Sequence, residues 1–224
     1  MTQHDPSLAI AELRANVSVP FERARAMPKS VYTSAAFAKA EEAHICAQEW
    51  LCAGRADALA KPGDYLTMVI AGEPVIILRD REGVLRGMSN VCRHRMSTLL
   101  EGRGNVRSIV CPYHAWTYNL DGSLRGAPAM ARNEAFCKED VKLPTVRVED
   151  WQGWIMVTLN PDAAPVAERL AGVDRLVGHL PMAGYREVFR EEFRDCAPTR
   201  FETQRGEEHP SPRSLHAADP AQLA

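Results

Sequence analysis

The 224-residue sequence has few of the features that mark membrane, secreted or nucleic-acid-binding proteins. No long hydrophobic run is present, and stretches such as residues 75–78 (Val-Ile-Ile-Leu) are far too short to cross a bilayer. The formal net charge is only −2, which gives no electrostatic reason to expect binding to nucleic acid or to an anionic membrane. The N-terminus has no basic segment followed by an apolar one, so we expect no secretory signal.

Cysteine is also scarce, with six residues in the chain. Four of them lie in no recognisable motif and are expected to be free thiols: Cys46, Cys52, Cys137 and Cys196. Free thiols are typical of a reducing compartment, so the sequence predicts a cytoplasmic protein.

The other two cysteines each stand beside a histidine, in the stretches Cys92-Arg-His94 and Cys111-Pro-Tyr-His114. This spacing lets both side chains of a pair reach one small metal centre. Two thiolates and two imidazoles suit a tetrahedral zinc site, or a Rieske cluster in which two Cys bind one iron and two His the other. A zinc finger groups its two Cys and its two His separately, whereas each stretch here supplies one of each, which favours the binuclear cluster.

The surrounding sequence, from Asn90 to Arg95 and from Cys111 to Tyr118, resembles the [2Fe–2S] Rieske loops of ring-hydroxylating oxygenase large subunits. The resemblance implies that Cys92 and Cys111 bind one iron and that His94 and His114 bind the other through Nδ1. It implies no catalytic residue in this chain. The mononuclear Fe(II) of an intact oxygenase is held by a later domain whose motifs are not legible here.

Several residues differ from other Rieske sequences. Respiratory Rieske proteins have a disulfide whose cysteines correspond to Ser97 and Tyr113, and a serine hydroxyl where this chain has Trp116. Fewer hydrogen bonds to the cluster sulfurs imply a potential near the low end of the Rieske range, roughly −150 mV. The oxygenases usually have Arg-Gly after the first histidine and Gly after the second, and Met96 and Ala115 replace these two glycines.

The fold class predicted is mainly β: a Rieske-type antiparallel β-sandwich with an N-terminal helix and a C-terminal helical or irregular segment. Alternating apolar residues between turn signals predict strands at 64–70, 74–78, 84–89, 108–110, 116–118, 144–149 and 154–159. We expect Gly102 and Gly104 to serve tight turns in the long connection between the two ligand loops.

Helices are predicted at both ends of this β-region. One covers residues 7–15. A second is capped by Thr33 or Ser34 and buries a stripe that includes His44, which we expect to be packed in the core; the stripe is Phe37, Ala40, His44, Ala47 and Leu51. A third begins near Pro165 with Val166, Leu170, Val173, Val177 and Leu180 on one side.

Four segments follow from these patterns: an N-terminal helical segment (1–47), a Rieske domain (48–162), a helix with the start of a truncated catalytic domain (163–195), and a polar, disordered tail (196–224). His209, His216 and Asp219 in the tail are not expected to form an iron-binding triad, because no domain remains to enclose a metal. Our hypothesis is that the coding sequence is truncated or frame-shifted near residue 194.

The function predicted is the Rieske [2Fe–2S] electron relay of an oxygenase large subunit. The resemblance implies a reductase or ferredoxin as electron donor and a homotrimer in the intact family. Arg93 and Arg95 beside His94 either help to dock an acidic donor or are ordinary surface charges. Two alternatives stay open: a stand-alone Rieske ferredoxin and a structural zinc module.

Overall fold

The structure, a computed structural model, describes residues 5–130 and 132–189. Two compact units are distinguished, one containing the N-terminal residues up to Ala38 and the other spanning Lys39–Arg190. The helices are α1 Ser7–Val17, α2 Lys29–Thr33, α3 Ala35–Glu41, α4 Val166–Arg169 and α5 Ala171–Val177. The strands are β1 Leu51–Arg55, β2 Asp64–Ile70, β3 Glu73–Arg79, β4 Leu85–Ser89, β5 Arg103–Asn105, β6 Ile109–Val110, β7 Thr117–Tyr118, β8 Leu124–Gly126, β9 Thr145–Trp151 and β10 Trp154–Thr158.

The first unit is a small helical cluster. Its buried residues include Ala9 of α1, Val31 of α2 and Phe37 of α3. The Ser34 side chain accepts the Phe37 N–H at 3.1 Å, so it caps α3 as its sequence position predicted. The predicted helix at the N-terminus is likewise confirmed by α1.

The second unit is built from two antiparallel sheets, which confirms the predicted fold class. The larger sheet has seven strands in the order β1-β10-β9-β4-β3-β2-β5, and the smaller has three in the order β6-β7-β8. Strands β2, β3 and β4 form a meander of adjacent strands within the larger sheet. Every pairing in both sheets is antiparallel. No helix in the described residues is long and apolar enough to span a membrane.

The apolar run in β3 is continuous because both faces of this strand are buried. Val75 and Ile77 point to one hydrophobic cluster, and Ile76 and Leu78 point to a second one on the opposite face. All four side chains are at most 1% exposed. The second cluster also contains Cys92 and Cys111, so β3 lies directly under the ligand loops.

Some predictions about the helices and turns are wrong. His44 is exposed, and it lies in a π-helical turn, Glu42–Cys46, after α3. The predicted helical stripe ends early because Leu51 begins β1, a strand that the sequence Leu-Cys-Ala-Gly-Arg does not indicate. Gly104 lies in β5, whereas Gly102 does adopt the left-handed backbone of a turn, with φ of 63°.

The helix predicted after Pro165 is broken into α4 and α5, with Leu170 between them in a non-helical conformation. Val166 is buried, but Val173 and Leu180 are 40% and 38% exposed, so the predicted stripe faces the core only at its start. The predicted tail and the three residues His209, His216 and Asp219 lie outside the described residues.

Candidate metal centre

The first ligand loop leaves the end of β4 and is closed at its base by one buried side chain. Asn90 is 3% exposed, and its amide group bonds both backbone groups of Leu100, donating at 2.8 Å and accepting at 2.9 Å. An isolated bridge between Val91 and Thr98 adds a second closure. The loop tip that carries Cys92 and His94 is therefore held at both ends.

The second ligand loop is the tip of a hairpin. Strands β6 and β7 pair Ile109 with Tyr118 and Val110 with Thr117, and Cys111 follows directly after β6. Pro112 comes next, and its fixed φ and missing N–H stiffen the turn. The first loop therefore follows β4 and the second follows β6, and both loops lie at the same end of the domain. Strands that fix two loops in this way are a suitable scaffold for a site shared between the loops.

The two loops share one backbone design although their sequences differ. In each, the cysteine N–H donates to the carbonyl five residues later, and the N–H four residues later donates back to the cysteine carbonyl, at 2.8–3.1 Å. The residue at the fourth position is Met96 in one loop and Ala115 in the other, with φ of 56° and 55°. Both therefore adopt the left-handed conformation that favours glycine, at the two positions where the oxygenases usually have glycine.

The four predicted ligands lie as a thiol pair and an imidazole pair. Cys92 and Cys111 are 0% and 3% exposed. The rings of His94 and His114 lie with centroids 4.8 Å apart, and His114 is the more exposed of the two. No group of three or more His, Cys, Asp or Glu side chains surrounds a single ion position within residues 5–130 and 132–189.

One buried nitrogen atom is left unsatisfied by the protein atoms around it. Nδ1 of His94 is buried and has no hydrogen-bond partner among residues 5–130 and 132–189. A buried polar atom without a partner is costly, so it calls for a bond that protein atoms do not supply. A bond from Nδ1 to iron would meet this need, and two buried thiols with two imidazoles are the donor set of a Rieske cluster. The residues present fit a [2Fe–2S] group.

Aromatic rings border both histidines. The His94 ring stacks on Trp116 with centroids 4.8 Å apart and planes 5° from parallel. Tyr113 lies against His114 at 3.8 Å with a tilt of 37°. Trp116 is buried whereas Tyr113 is 59% exposed, so the two imidazoles have different surroundings.

Tyr118 connects the hairpin to the first loop. Its hydroxyl accepts the Arg93 N–H at 3.0 Å and lies 3.3 Å from Sγ of Cys92. Burial, followed by the hydrogen bond with Cys92, raises the pKa of Tyr118, so the phenol keeps its proton. The hydroxyl can therefore donate that proton to the Cys92 sulfur when the latter is a thiolate.

The electrostatics of the site favour a thiolate at Cys111 and a neutral imidazole at His94. Burial raises the pKa of Cys111, but hydrogen bonds from the Tyr113 and His114 amides and from the Cys92 and Ser97 side chains outweigh it, so this pKa is lowered. Burial, then repulsion from His114 and Arg95, lowers the pKa of His94. Thiolate and neutral imidazole are the forms that bind metals.

The sequence predicted four ligands but indicated no role for Asn90 or Tyr118. Both stand inside the quoted motifs, so their positions were visible, but the bonds that they make depend on the pairing of distant strands. Arg93, Arg95 and Met96 are exposed beside His94, and Met96 is 68% exposed.

Comparison with known proteins identifies this part of the chain. Residues 49–147 match the family model of the Rieske [2Fe-2S] domain. The chain therefore contains a Rieske domain, whose cofactor is a [2Fe–2S] cluster, and the resemblance seen in the sequence is confirmed.

Its curated relatives are oxygenases. The chain is 39% identical over 150 residues to the carnitine monooxygenase oxygenase subunit of Acinetobacter baumannii, covering 65% of this chain and 39% of that protein. It is 33% identical over 142 residues to the chloroplastic choline monooxygenase of Spinacia oleracea, covering 63% of this chain and 32% of the relative. The matched region is thus well under half the length of these relatives.

Solved structures show the same architecture. The apo form of the quaternary ammonium Rieske monooxygenase CntA superposes with a TM-score of 0.63 at 37% identity, over 68% of this chain and 45% of that chain. Naphthalene 1,2-dioxygenase from Rhodococcus sp. superposes with a TM-score of 0.66 at 26% identity. That match covers 76% of this chain and 39% of the dioxygenase chain. The Rieske domain of this chain is thus the counterpart of the one in oxygenase large subunits.

Proposed function

We propose that this chain carries electrons, one at a time, to an oxygenase iron centre, and that Cys92, Cys111, His94 and His114 hold its [2Fe–2S] cluster. The observation that carries the proposal is the buried Nδ1 of His94, which has no hydrogen-bond partner in the described part of the chain, beside the two buried thiols. When bound, the cluster supplies a one-electron redox centre at a potential above that of all-cysteine clusters.

The residues of the chain prepare the site for that chemistry. Cys92 and Cys111 would bind the cluster as buried thiolates, away from solvent. His94 would bind the cluster through Nδ1, and His114 is exposed at its loop tip, where its imidazole can face a partner. With Cys92 as a thiolate, Tyr118 would donate a hydrogen bond to its sulfur and so favour the more negative, reduced state.

Its relatives indicate the reaction that these electrons serve. The names of the curated relatives specify monooxygenases of carnitine, choline and glycine betaine. We propose that the present chain corresponds to the electron-relay part of such a large subunit, fed by a reductase or ferredoxin in the cytoplasm, with oxygen inserted at a mononuclear iron held elsewhere. The identity of 39% over the matched part supports this proposal for the domain.

We also propose that the Rieske domain covers residues 48–162, preceded by the helical segment 1–47 and followed by residues 163–195 as the start of a catalytic domain. The test of the whole proposal is anaerobic purification of the full chain, reduction by dithionite or by a reductase with NADH, and a parallel assay of oxygen uptake with carnitine, choline and glycine betaine.

We expect a Rieske electron paramagnetic resonance signal on reduction and no oxygenated product from this chain alone. Product formation would contradict the assignment as a relay and indicate a complete oxygenase site. A chain that accepts no electron in the presence of iron and sulfide would overturn the proposal altogether. Fast electron exchange with unrelated acceptors and none with an oxygenase would favour a stand-alone ferredoxin.

A further inference from the structure

A continuous row of aromatic rings leads from one ligand histidine to the surface. The His94 ring stacks on Trp116, and the Trp116 ring lies 5.6 Å from Phe136, measured between centroids. Phe136 is partly exposed and lines a surface pocket of about 370 Å³ with Ala127, Met130, Asn133, Lys138 and Glu139. The row consists of His94, Trp116 and Phe136 and does not include the second histidine, His114.

The two histidines therefore reach the surface in different ways. His114 is exposed at the loop tip. Apart from His94, the only ring that it contacts within the described residues is that of the exposed Tyr113. His94 is half-buried, and Trp116, which covers its ring, is 5% exposed. Trp116 belongs to the same core cluster as both cysteines, and Phe136 packs against that cluster.

An electron relay has to exchange electrons with a donor and with an acceptor. Packed aromatic side chains couple a buried redox centre to the surface better than the same distance through water or a gap, because electron tunnelling weakens least through closely packed atoms. The nearly parallel stacking of His94 on Trp116 gives the closest coupling at the end of the row that meets the site.

We propose that Trp116 and Phe136 form an electron-transfer branch from His94 to the surface pocket beside Met130 and Lys138, separate from the exposed edge of His114. The inference rests on the proposed function. One electron passes from a reduced one-electron donor to the site, the donor is oxidised by one electron, and no covalent bond is made or broken. The electron tunnels through Trp116 and Phe136, and neither side chain is itself oxidised or reduced.

The chain offers a native attachment point for a direct test. Cys137 is exposed and follows Phe136 in the sequence. A photoactive ruthenium–bipyridine complex attached at Cys137, with Cys46, Cys52 and Cys196 changed to Ser, injects one electron after a laser flash. The rate of cluster reduction is then read from the absorbance change. The full chain is used, with its cluster in place.

Phe136→Leu keeps an apolar side chain but removes the ring, and we expect it to slow electron injection from Cys137 severalfold. Phe136→Tyr restores the ring and should restore the rate. Tyr113→Leu, on the other histidine, should leave injection from Cys137 unchanged. A complex placed instead at Cys52, on the edge strand β1, supplies the second control, since its rate should not respond to Phe136→Leu.

The reduction potential and the paramagnetic signal of each variant are measured beside the rates, because a change in packing alone would move them. An unchanged rate from Cys137 in Phe136→Leu would overturn the branch, and so would equal slowing from Cys137 and Cys52. These results would leave the proposed function standing as long as the Rieske signal is present. Absence of that signal in the unmodified chain would instead overturn the proposed function.

Discussion

The hydroxyl oxygen of Tyr118 lies 3.3 Å from Sγ of Cys92, and both residues are fully buried. This contact crosses from the hairpin of the second loop to the ligand of the first. It places a proton donor beside a sulfur that carries negative charge in the loaded site. Hydrogen bonds to cluster sulfurs stabilise the reduced, more negative state, so this contact sets part of the reduction potential.

Tyr118→Phe removes that hydrogen bond while keeping the ring. We expect the potential to fall by about 60 mV, the one-electron equivalent of a roughly tenfold change in the reduction equilibrium. A redox titration followed by circular dichroism measures the shift. Tyr65→Phe is the matched control, because the Tyr65 hydroxyl donates to the Glu101 carbonyl. Equal potentials for the Tyr118→Phe and unmodified chains would rule out this role.

Met96 adopts a left-handed backbone with φ of 56°, which no β-branched side chain adopts without strain. Met96→Ile should therefore lower the free energy of unfolding by about 1 kcal/mol, whereas Met96→Gly should not lower it. The thermal midpoint of the loaded chain, read from its Rieske circular dichroism, gives the comparison. Met68→Ile in β2 is the control, since β-branched residues suit a strand. A loss of stability in Met96→Gly would show that its side chain, rather than its backbone, matters.

The lowered pKa of His94 makes the metal-free fold sensitive to acid. Because the folded-state pKa lies below the ordinary value of about 6.5, the unfolded chain binds more protons than the folded one between these two values. Stability therefore rises with pH through this window and is lost as pH falls through it.

Denaturant midpoints of the metal-free chain at pH values on both sides of about 6.5 test this prediction. His94→Gln, which cannot titrate, should flatten the dependence, and His179→Gln at an exposed position should leave it intact. An acid response of the same size in all three proteins would assign the effect to other groups.

The sequence predicted most of the β-structure because its signals are local or strongly patterned. The run Val75–Leu78 indicated a strand, which β3 confirms, and the paired Cys and His residues indicated a set of candidate ligands. Other features depend on pairing between distant segments. The bond from Tyr118 to Cys92 exists only because β6 and β7 pair and bring residue 118 under the first loop.

The errors have similar causes. His44 occupies a core position on an ideal helix, but a π-helical turn shifts the register and exposes it. The helix after Pro165 breaks at Leu170, where propensity gives no warning. Strand β1 contains Ala53 and Gly54 and is a strand because it pairs with β10, with an irregularity beside Gly54.

The central claim is that four side chains jointly hold a binuclear iron–sulfur group, and metal analysis tests it most directly. Anaerobically prepared chain should contain two iron atoms and two acid-labile sulfides, as a [2Fe-2S] domain requires. Single changes Cys92→Ser, Cys111→Ser, His94→Ala and His114→Ala should each abolish the Rieske signal, whereas Cys52→Ser should retain both metal and signal. A colourless chain, or one that contains zinc and no sulfide, would contradict the account.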